Sequence, residues 1–104
     1  MLLPEYIKRE LPKLFATRDR KDPMVYCKFY DPVGVSTWFV IEGEEQSSGD
    51  FLFFGYIIGK KNGLGYFTLF QLIRMKDGMW NRLGLPIERD VYFKRCRLSK
   101  VLVK

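Results

Sequence analysis

The chain has 104 residues, of which 47% are hydrophobic and 16% aromatic, so one domain covering residues 1–104 has enough apolar side chain to bury a core. Lys and Arg outnumber Asp and Glu by 18 to 12, which gives a net charge of +6 at pH 7 and an isoelectric point near 9.4. The chain has no histidine and two cysteines, which excludes Ser-His-Asp catalysis, Cys-His catalysis and a zinc site of four Cys and His ligands.

The apolar segments do not indicate a membrane protein or a secreted protein. The longest of them, residues 51–58, is too short to cross a bilayer, and the first residues lack the basic and apolar regions of a signal peptide. We therefore expect a cytoplasmic chain without a membrane partner, in which Cys27 and Cys96 remain reduced thiols. No cofactor and no metal site are expected, and the sequence leaves the oligomeric state open.

The N-terminal part of the chain predicts a short helix followed by a β-hairpin. Apolar residues recur at helical spacing from Ile7, and Pro12 ends this helix near residues 9–11 because proline cannot continue it. After a charged loop, residues 24–30 alternate between two faces as a strand does. A turn that contains proline and glycine then leads to a second strand over residues 36–42, which completes the hairpin.

The middle of the chain predicts two more strands and a second helix. Residues 51–58 are apolar on both faces, which is typical of a central strand covered on both sides. Residues 65–67 form a short fourth strand. Thr68 and Gln71 then have the spacing of a capping box, which predicts a helix that begins there and ends near Met75.

The C-terminal part predicts a fifth strand over residues 87–94, and Ser99 caps a last short helix or turn. The connections between successive elements are mostly short, which favours antiparallel pairing and helices packed against the sheet. The predicted fold is therefore α+β, with a mostly antiparallel sheet of about five strands and two or three short helices on one face.

Positive charge is concentrated toward the C-terminus. Residues 60–104 carry eleven Lys and Arg against three Asp and Glu, whereas residues 31–59 carry five acidic residues and no basic one. Phosphate binding needs such a concentration of charge, although no helix-turn-helix, RNP-type or KH-type motif is present. The candidate nucleic-acid contacts are Lys60, Lys61, Lys94, Arg95, Arg97 and Lys100. Further basic candidates in a loop are Arg18, Arg20 and Lys21. The aromatic residues that stack on bases if they are exposed are Tyr26, Tyr30, Tyr66, Tyr92 and Trp80.

Three charged residues form a second candidate site. Glu88 and Asp90 share one face if their segment is a strand, and Arg89 then lies on the other. Two neighbouring carboxylates are able to share a proton or to ligate a divalent cation. Two ligands do not make a metal site, so the favoured interpretation of this cluster is structural ion pairing.

A candidate partner anchor lies in the polar, glycine-containing segment 75–82. Met79 and Trp80 occur there, and large aromatic side chains dominate the energetics of protein interfaces. The alternative, which the sequence favours, is that Trp80 folds back to cover the core.

Several segments of the chain match a family pattern. The most specific is residues 83–93, with the sequence LGLPIERDVYF. The other matching segments are residues 11–12, 15–17, 22–25, 28–29, 37–39, 50–55 and 64–69. On these segments the chain resembles, from about Leu11 to Leu102, an uncharacterised bacterial family labelled only as a domain of unknown function and often encoded on plasmids and other mobile elements. The resemblance implies a mobile-element accessory protein and supplies no activity.

These features together favour a non-enzymatic binding module that acts through a protein partner or through nucleic acid. The alternative is a small enzyme or metal-dependent domain that uses Glu88 and Asp90 with Arg89. A contiguous basic or aromatic surface would favour the binding module, and a concave site containing Glu88 or Asp90 would favour the enzyme.

Overall fold

The protein is described over residues 2–75 and 85–102 by a computed structural model. The described helices have five or six residues each. In this part of the chain no helix is long and apolar enough to span a membrane. The elements in chain order are α1 (Glu5–Glu10), β1 (Met24–Val25), β2 (Cys27–Tyr30), β3 (Thr37–Glu45), β4 (Phe51–Ile58), β5 (Gly63–Thr68), α2 (Leu69–Arg74), β6 (Glu88–Arg89), β7 (Cys96–Arg97) and α3 (Leu98–Leu102).

Five of the strands form one antiparallel sheet in the order β5-β4-β3-β2-β6. The two longest strands, β3 and β4, have nine and eight residues and pair with each other inside this sheet. The strands β1 and β7 pair with each other as a separate two-stranded antiparallel sheet. This sheet of five antiparallel strands with three short helices confirms the predicted α+β class.

One face of the sheet is covered by α1 and α2. Ile7 of α1 and Leu72 of α2 belong to one buried cluster with Phe29 and Phe53, whose ring centres lie 5.7 Å apart. These strand residues share a face because side chains alternate along each strand. The other fully or nearly fully buried members of this cluster are Leu3, Leu11, Cys27, Trp38, Val40, Phe51, Phe67 and Ile87.

The opposite face of the sheet is covered by α3 and β1. Val25 of β1 and Leu98 of α3 form a second buried cluster with Phe39 and Ile41 of β3, and Phe54 of β4 packs against this cluster. Two helices therefore lie on one face, as predicted, and the third lies on the other.

The two cysteines are both free thiols. Burial raises the pKa of the Cys27 thiol to about 12, although the nearby Arg89 charge acts in the opposite direction. Cys27 is therefore protonated at neutral pH and serves as a core side chain. Cys96 is half-buried in β7, where it pairs with Val25 across the two-stranded sheet.

Two parts of the predicted secondary structure match closely. The predicted strand over residues 51–58 is β4, with the same bounds, and β5 contains the predicted short strand. The capping box is present, because Thr68 Oγ1 accepts the Gln71 amide at 3.1 Å and Gln71 Oε1 accepts the Thr68 amide at 2.8 Å. The helix begins directly after Thr68 for this reason.

The strand predicted over residues 87–94 is much shorter. Only β6 pairs with β2, because the chain turns at Asp90. The Asp90 carboxylate accepts the Tyr92 amide at 3.0 Å, and the Asp90 carbonyl accepts the Phe93 amide at 3.1 Å. Such local hydrogen bonds compete with sheet pairing, so the prediction of a continuous strand to residue 94 was wrong.

The strand predicted over residues 24–30 is divided in two. Its first part, β1, pairs with β7, whereas its second part, β2, pairs with β3 and β6. Tyr26 separates the two parts, and its amide donates to the Val40 carbonyl at 2.9 Å. Alternating polarity predicts the strand, but it does not predict the change of partner.

Candidate nucleic-acid interface

A buried glutamate on β3 organises the face that carries α3. Regular alternation would place Glu42 on the side of Trp38 and Val40, which is the side of α1 and α2. The pairing of β3 with β4 is irregular between Val40 and Glu42, so Glu42 pairs with Phe54. An irregularity of this kind adds one residue to one strand and redirects the side chains beyond it. The side chain of Glu42 is 0% exposed and contacts the loop that follows α1.

Within the described residues, the Glu42 carboxylate accepts four hydrogen bonds, all from residues 15–18. One oxygen, Oε1, accepts the Phe15 amide at 2.7 Å and the Arg18 Nε at 3.0 Å. The other, Oε2, accepts the Thr17 amide at 2.9 Å and also the Thr17 hydroxyl. An ionised carboxylate has about four acceptor positions, so this one is fully satisfied. A single side chain of the sheet therefore holds residues 15–18 of this loop in position.

The surroundings of Glu42 determine its protonation. Burial alone would raise the pKa of this carboxyl group, because the charged form loses its hydration. The hydrogen bonds from the Thr17 hydroxyl and from the Phe15 and Thr17 amides, together with the Arg18 charge, outweigh burial and keep the pKa below its ordinary value of 4.5. Glu42 is therefore ionised at neutral pH and forms a charge pair with Arg18.

The guanidinium group of Arg18 is surrounded by aromatic rings. Its central carbon lies 3.6 Å from the ring centre of Phe54, 4.3 Å from that of Phe15 and 5.3 Å from that of Tyr66. A cation within about 6 Å of a ring centre is attracted by the π electrons of that ring. We call Arg18 and these three rings the Arg18 cluster. Two of its rings are open to solvent, since Phe15 is 66% exposed and Tyr66 is 48% exposed.

The backbone at Phe15 is strained. Its φ is 72°. In the described part of the chain, Phe15 is the one residue other than glycine that has a positive φ. This left-handed region costs a residue with a side chain about 1–2 kcal/mol. The hydrogen bond from the Phe15 amide to Glu42 helps to offset that cost. Strained backbone of this kind is concentrated at binding and catalytic sites, which singles out this loop.

A second connection joins the same loop to α3. Asp22 Oδ2 accepts the Ser99 hydroxyl at 2.7 Å, and Asp22 Oδ1 accepts the Ser99 amide at 2.9 Å. These two bonds are the main reason that the pKa of Asp22 lies below its ordinary value of 3.8. Two further hydrogen bonds to the backbone carbonyls of the loop join the same segments. Arg97 Nη1 donates to the Asp22 carbonyl at 3.3 Å, and the Leu98 amide donates to the Pro23 carbonyl at 2.9 Å. We call this connection the Asp22–Ser99 link.

The Asp22–Ser99 link brings together two basic segments that are 77 residues apart in the sequence. One segment, which contains Arg20 and Lys21, directly precedes Asp22. The other, which contains Arg97 and Lys100, flanks Ser99, so the link places the two pairs of basic residues near each other. Phe54 of the Arg18 cluster packs against the buried cluster that contains Leu98 of α3, so both features lie on one face of the sheet. The four exposed basic residues next to the link, which we call the basic strip, are Arg20, Lys21, Arg97 and Lys100.

The remaining predicted nucleic-acid contacts lie elsewhere. Lys60 and Lys61 are exposed in the turn between β4 and β5, outside the Asp22–Ser99 link. Arg95 forms an ion pair with Glu10 of α1, and its guanidinium carbon lies 5.2 Å from the ring centre of Tyr26. Lys94 is exposed in the segment before β7. Of the six residues predicted from the C-terminal charge, the structure brings Arg97 and Lys100 into the basic strip.

The residues of the second candidate site have separate partners. Asp90 forms an ion pair with Lys28 at 3.7 Å, whereas Arg89 donates to the Tyr6 hydroxyl at 3.3 Å. Glu88 is exposed, and the Nε of Arg89 is buried without a hydrogen-bond partner in the described part of the chain. Across residues 2–75 and 85–102, no group of three or more Cys, Asp and Glu side chains is arranged to hold a metal ion. Glu88 and Arg89 line one concave site, and Arg89 and Asp90 line a second, so the structure divides the three charges between two sites and the enzyme interpretation stays a prediction.

The predicted partner anchor, Met79 and Trp80, lies outside the described residues. Among the aromatic residues predicted to stack on bases, Tyr66 belongs to the Arg18 cluster. Tyr92 is exposed in the turn after β6, on the opposite edge of the sheet from β5. The last two, Tyr26 and Tyr30, are half-buried.

The sequence interpretation missed Glu42, although a signal was present. A single carboxylate directly follows the apolar run of residues 38–41 inside a predicted strand, and a charge in that position has to find partners when the strand is buried. It also missed the exposure of Phe15, which depends on the positive φ. The Asp22–Ser99 link has no local signal, because it arises from tertiary packing.

The structure defines a class of protein, a small α+β domain with exposed basic residues and exposed aromatic rings on one face of its sheet. A family model described as a protein of unknown function, DUF2958, matches residues 2–103. Because this match covers nearly the whole chain, the protein belongs to the DUF2958 family, which confirms the resemblance to an uncharacterised family. Comparison with curated proteins gives no match, and comparison with solved structures gives none either.

Proposed function

We propose that this protein is a non-enzymatic binding module that contacts nucleic acid through the basic strip. The observation that carries the proposal is the Asp22–Ser99 link, which joins the loop that contains Arg20 and Lys21 to the segment that contains Arg97 and Lys100. Neighbouring Lys and Arg side chains bind the phosphates of nucleic acids by releasing condensed counterions. Such a group of side chains is the main electrostatic feature of a nucleic-acid-binding surface.

The local balance of charge supports this proposal. The basic strip has four exposed cations, whereas the loop before β1 has two acidic residues near it, Asp19 and Asp22. The Asp22 carboxylate already accepts two hydrogen bonds from Ser99, and the Glu42 charge is paired with Arg18. The net charge of the chain, +6, adds a long-range attraction for a polyanion.

The proposal includes a cellular context. The sequence resemblance implies an accessory protein of plasmids or other mobile elements. A cytoplasmic location follows from the same proposal, because the nucleic acid and the free thiols of Cys27 and Cys96 are both compatible with that compartment. The protein-partner interpretation through Met79 and Trp80, and the enzyme interpretation through Glu88 and Asp90 with Arg89, stay predictions.

Fluorescence anisotropy tests the proposal. The probes are a labelled single strand of about 12 nucleotides and the corresponding duplex, titrated with the protein at about 50 to 200 mM salt. We expect binding that weakens as salt increases, with a slope of log K against log salt of about −0.7 to −0.9 for each phosphate contacted. No binding to either probe at about 50 mM salt would contradict the proposal.

A pair of double variants locates the contact. Arg20→Gln with Lys100→Gln removes two charges of the basic strip, and we expect the salt slope to decrease in magnitude by about 1.4–1.8. Arg9→Gln with Lys13→Gln is the matched control, because it makes the same change in charge at exposed residues that line a groove beside α1. Equal loss of affinity in both double variants would show that net charge, and not the basic strip, determines binding.

A further inference from the structure

We infer that the ligand of this surface is single-stranded nucleic acid, whose bases stack on the exposed rings of Phe15 and Tyr66 while its phosphates contact the basic strip. This inference rests on the proposed function and deepens it, because it names the form of nucleic acid and the residues that distinguish it. Its basis is the Arg18 cluster, which the basic strip alone does not explain.

Phe15 is held in an energetically unfavourable position. A phenyl ring that is 66% exposed loses the stabilisation that burial would give it, and here the backbone is also strained at a φ of 72°. The amide bond to Glu42 and the stacking of Arg18 keep the ring in place. The fold thus maintains an exposed aromatic face at a cost in stability, which is the property of a preorganised binding surface.

The exposed rings belong to one continuous aromatic surface. Tyr66 lies on β5, an edge strand of the sheet, and is 48% exposed. Its ring centre lies 5.4 Å from that of Phe54, and the Arg18 guanidinium lies within 5.3 Å of the ring centres of Tyr66, Phe54 and Phe15. The planar guanidinium and the rings offer several flat surfaces close together. Flat aromatic and guanidinium surfaces are what successive bases of a single strand stack upon.

A single strand fits this surface better than a duplex does. The bases of a duplex are stacked on one another, so their flat faces are not available to an exposed ring. A surface that used charge alone would bind a duplex through its phosphates. The combination of exposed rings with Arg20 and Lys21, only a few residues along the same loop, favours a strand whose bases are free.

The test uses two variants that remove a ring and leave the fold intact. Phe15→Gly removes the ring and also relieves the positive φ, while it keeps the amide that Glu42 binds. Tyr66→Leu removes the aromatic face and keeps an apolar side chain on the edge strand. Tyr92→Leu is the matched control, because Tyr92 is an exposed tyrosine near the opposite edge of the sheet. Circular dichroism and urea unfolding check that each variant is folded.

We expect the wild-type protein to bind the single strand more tightly than a duplex of the same sequence at the same salt concentration. Phe15→Gly and Tyr66→Leu should each weaken single-strand binding by about 5- to 100-fold, which is the effect of losing one stacked base. Both variants should change duplex binding by less than about 2-fold, because phosphate contacts are unaffected. Tyr92→Leu should leave both affinities unchanged.

Any of four results would overturn the inference. Binding of duplex and single strand with equal affinity, or ring variants that bind the single strand as the wild type does, would leave the proposed function standing and remove base stacking. A loss with Tyr92→Leu as large as that with Tyr66→Leu would remove the assignment to the Arg18 cluster. Absence of binding to either probe would remove the proposed function itself, and the exposed rings would then be a surface for a protein.

Discussion

At the scale of single residues, Glu42 determines the geometry of the candidate interface. Its carboxylate is completely buried, and the described donors to it are two amides, a hydroxyl and the Arg18 guanidinium. Burying a charge costs several kcal/mol unless hydrogen bonds compensate for the lost hydration. Here the compensation comes from one loop, so the charge of Glu42 and the conformation of residues 15–18 depend on each other.

The first prediction concerns the loss of this charge. Glu42→Gln keeps the size of the side chain but replaces one acceptor oxygen by an amide nitrogen, which leaves donors of the loop unpaired. We expect the free energy of unfolding to decrease by about 2–4 kcal/mol. Urea unfolding measures it, with Glu44→Gln as the control because Glu44 is exposed on the same strand. Similar stabilities of the two variants would show that the buried charge does not anchor the loop.

The second prediction concerns pH. The folded protein keeps the pKa of Glu42 below 4.5, whereas the unfolded chain has about the ordinary value. Above pH 4.5 the carboxylate is ionised in both states and its contribution to stability is complete. As pH falls below this value, the unfolded chain binds the proton first, so the contribution is lost until the folded carboxyl is also protonated.

The difference in unfolding free energy between wild type and Glu42→Gln should therefore be constant near neutral pH and decrease in acid. Urea unfolding at a series of pH values measures this difference. A difference that stays constant down to about pH 3 would contradict the assigned direction of the pKa shift.

At the scale of elements, the sheet depends on one glycine in β4. Gly55 pairs with Val40 of β3, next to the irregularity that redirects Glu42. A Cβ atom at this position would lie 1.9 Å from the Phe39 carbonyl oxygen, closer than any real contact. The two central strands therefore need glycine there to approach each other.

The third prediction follows from that approach. Gly55→Ala should decrease the free energy of unfolding by more than about 3 kcal/mol, because the added methyl group meets backbone that cannot move without breaking the sheet. Gly63→Ala on β5 is the matched control, since a Cβ atom there meets nothing within 4 Å. Thermal unfolding compares the two, and equal melting temperatures would contradict the close packing of β3 and β4 at this point.

The fourth prediction concerns the attachment of α3. Asp22→Ala removes both side-chain bonds to Ser99, so the amides of residues 98–102 should exchange with solvent faster while those of β4 do not change. Asp19→Ala is the control, because Asp19 is an exposed aspartate of the same loop. Hydrogen exchange measured by mass spectrometry gives the answer. Unchanged exchange in α3 would mean that the link does not fix the basic strip.

The elements also show how far the sequence predicts this fold. The apolar run of β4 and the capping box of α2 were predicted because their determinants are local side chains. The end of β6 was missed because the Asp90 turn competes with an equally plausible strand pattern. The irregularity at Glu42 and the Asp22–Ser99 link involve residues distant in sequence, so no local pattern contains them. Most of the fold was therefore predictable, whereas the geometry of the interface was not.

At the scale of the whole molecule, the acidic residues at the end of β3 have basic neighbours, because Glu44 and Glu45 line one groove with Arg9 and Lys13. Glu44 and Glu45 lie at the end of β3, where the acidic middle of the sequence forms the connection to β4. The basic strip lies by contrast beside α3, on the face that also carries the Arg18 cluster. If nucleic acid binds as proposed, the net charge of +6 attracts it at long range and the basic strip determines where it contacts the protein.

The most direct test of nucleic-acid binding at this face is a titration of the ¹⁵N-labelled protein with a single-stranded oligonucleotide of about 12 nucleotides, followed by NMR amide shifts. We expect the largest shifts at residues 15–22, at Tyr66 and at residues 97–101, and no shifts at the amides of α1 and α2. Shifts confined to α1 and α2, or an unchanged spectrum at low salt, would contradict the claim that this face of the sheet binds nucleic acid.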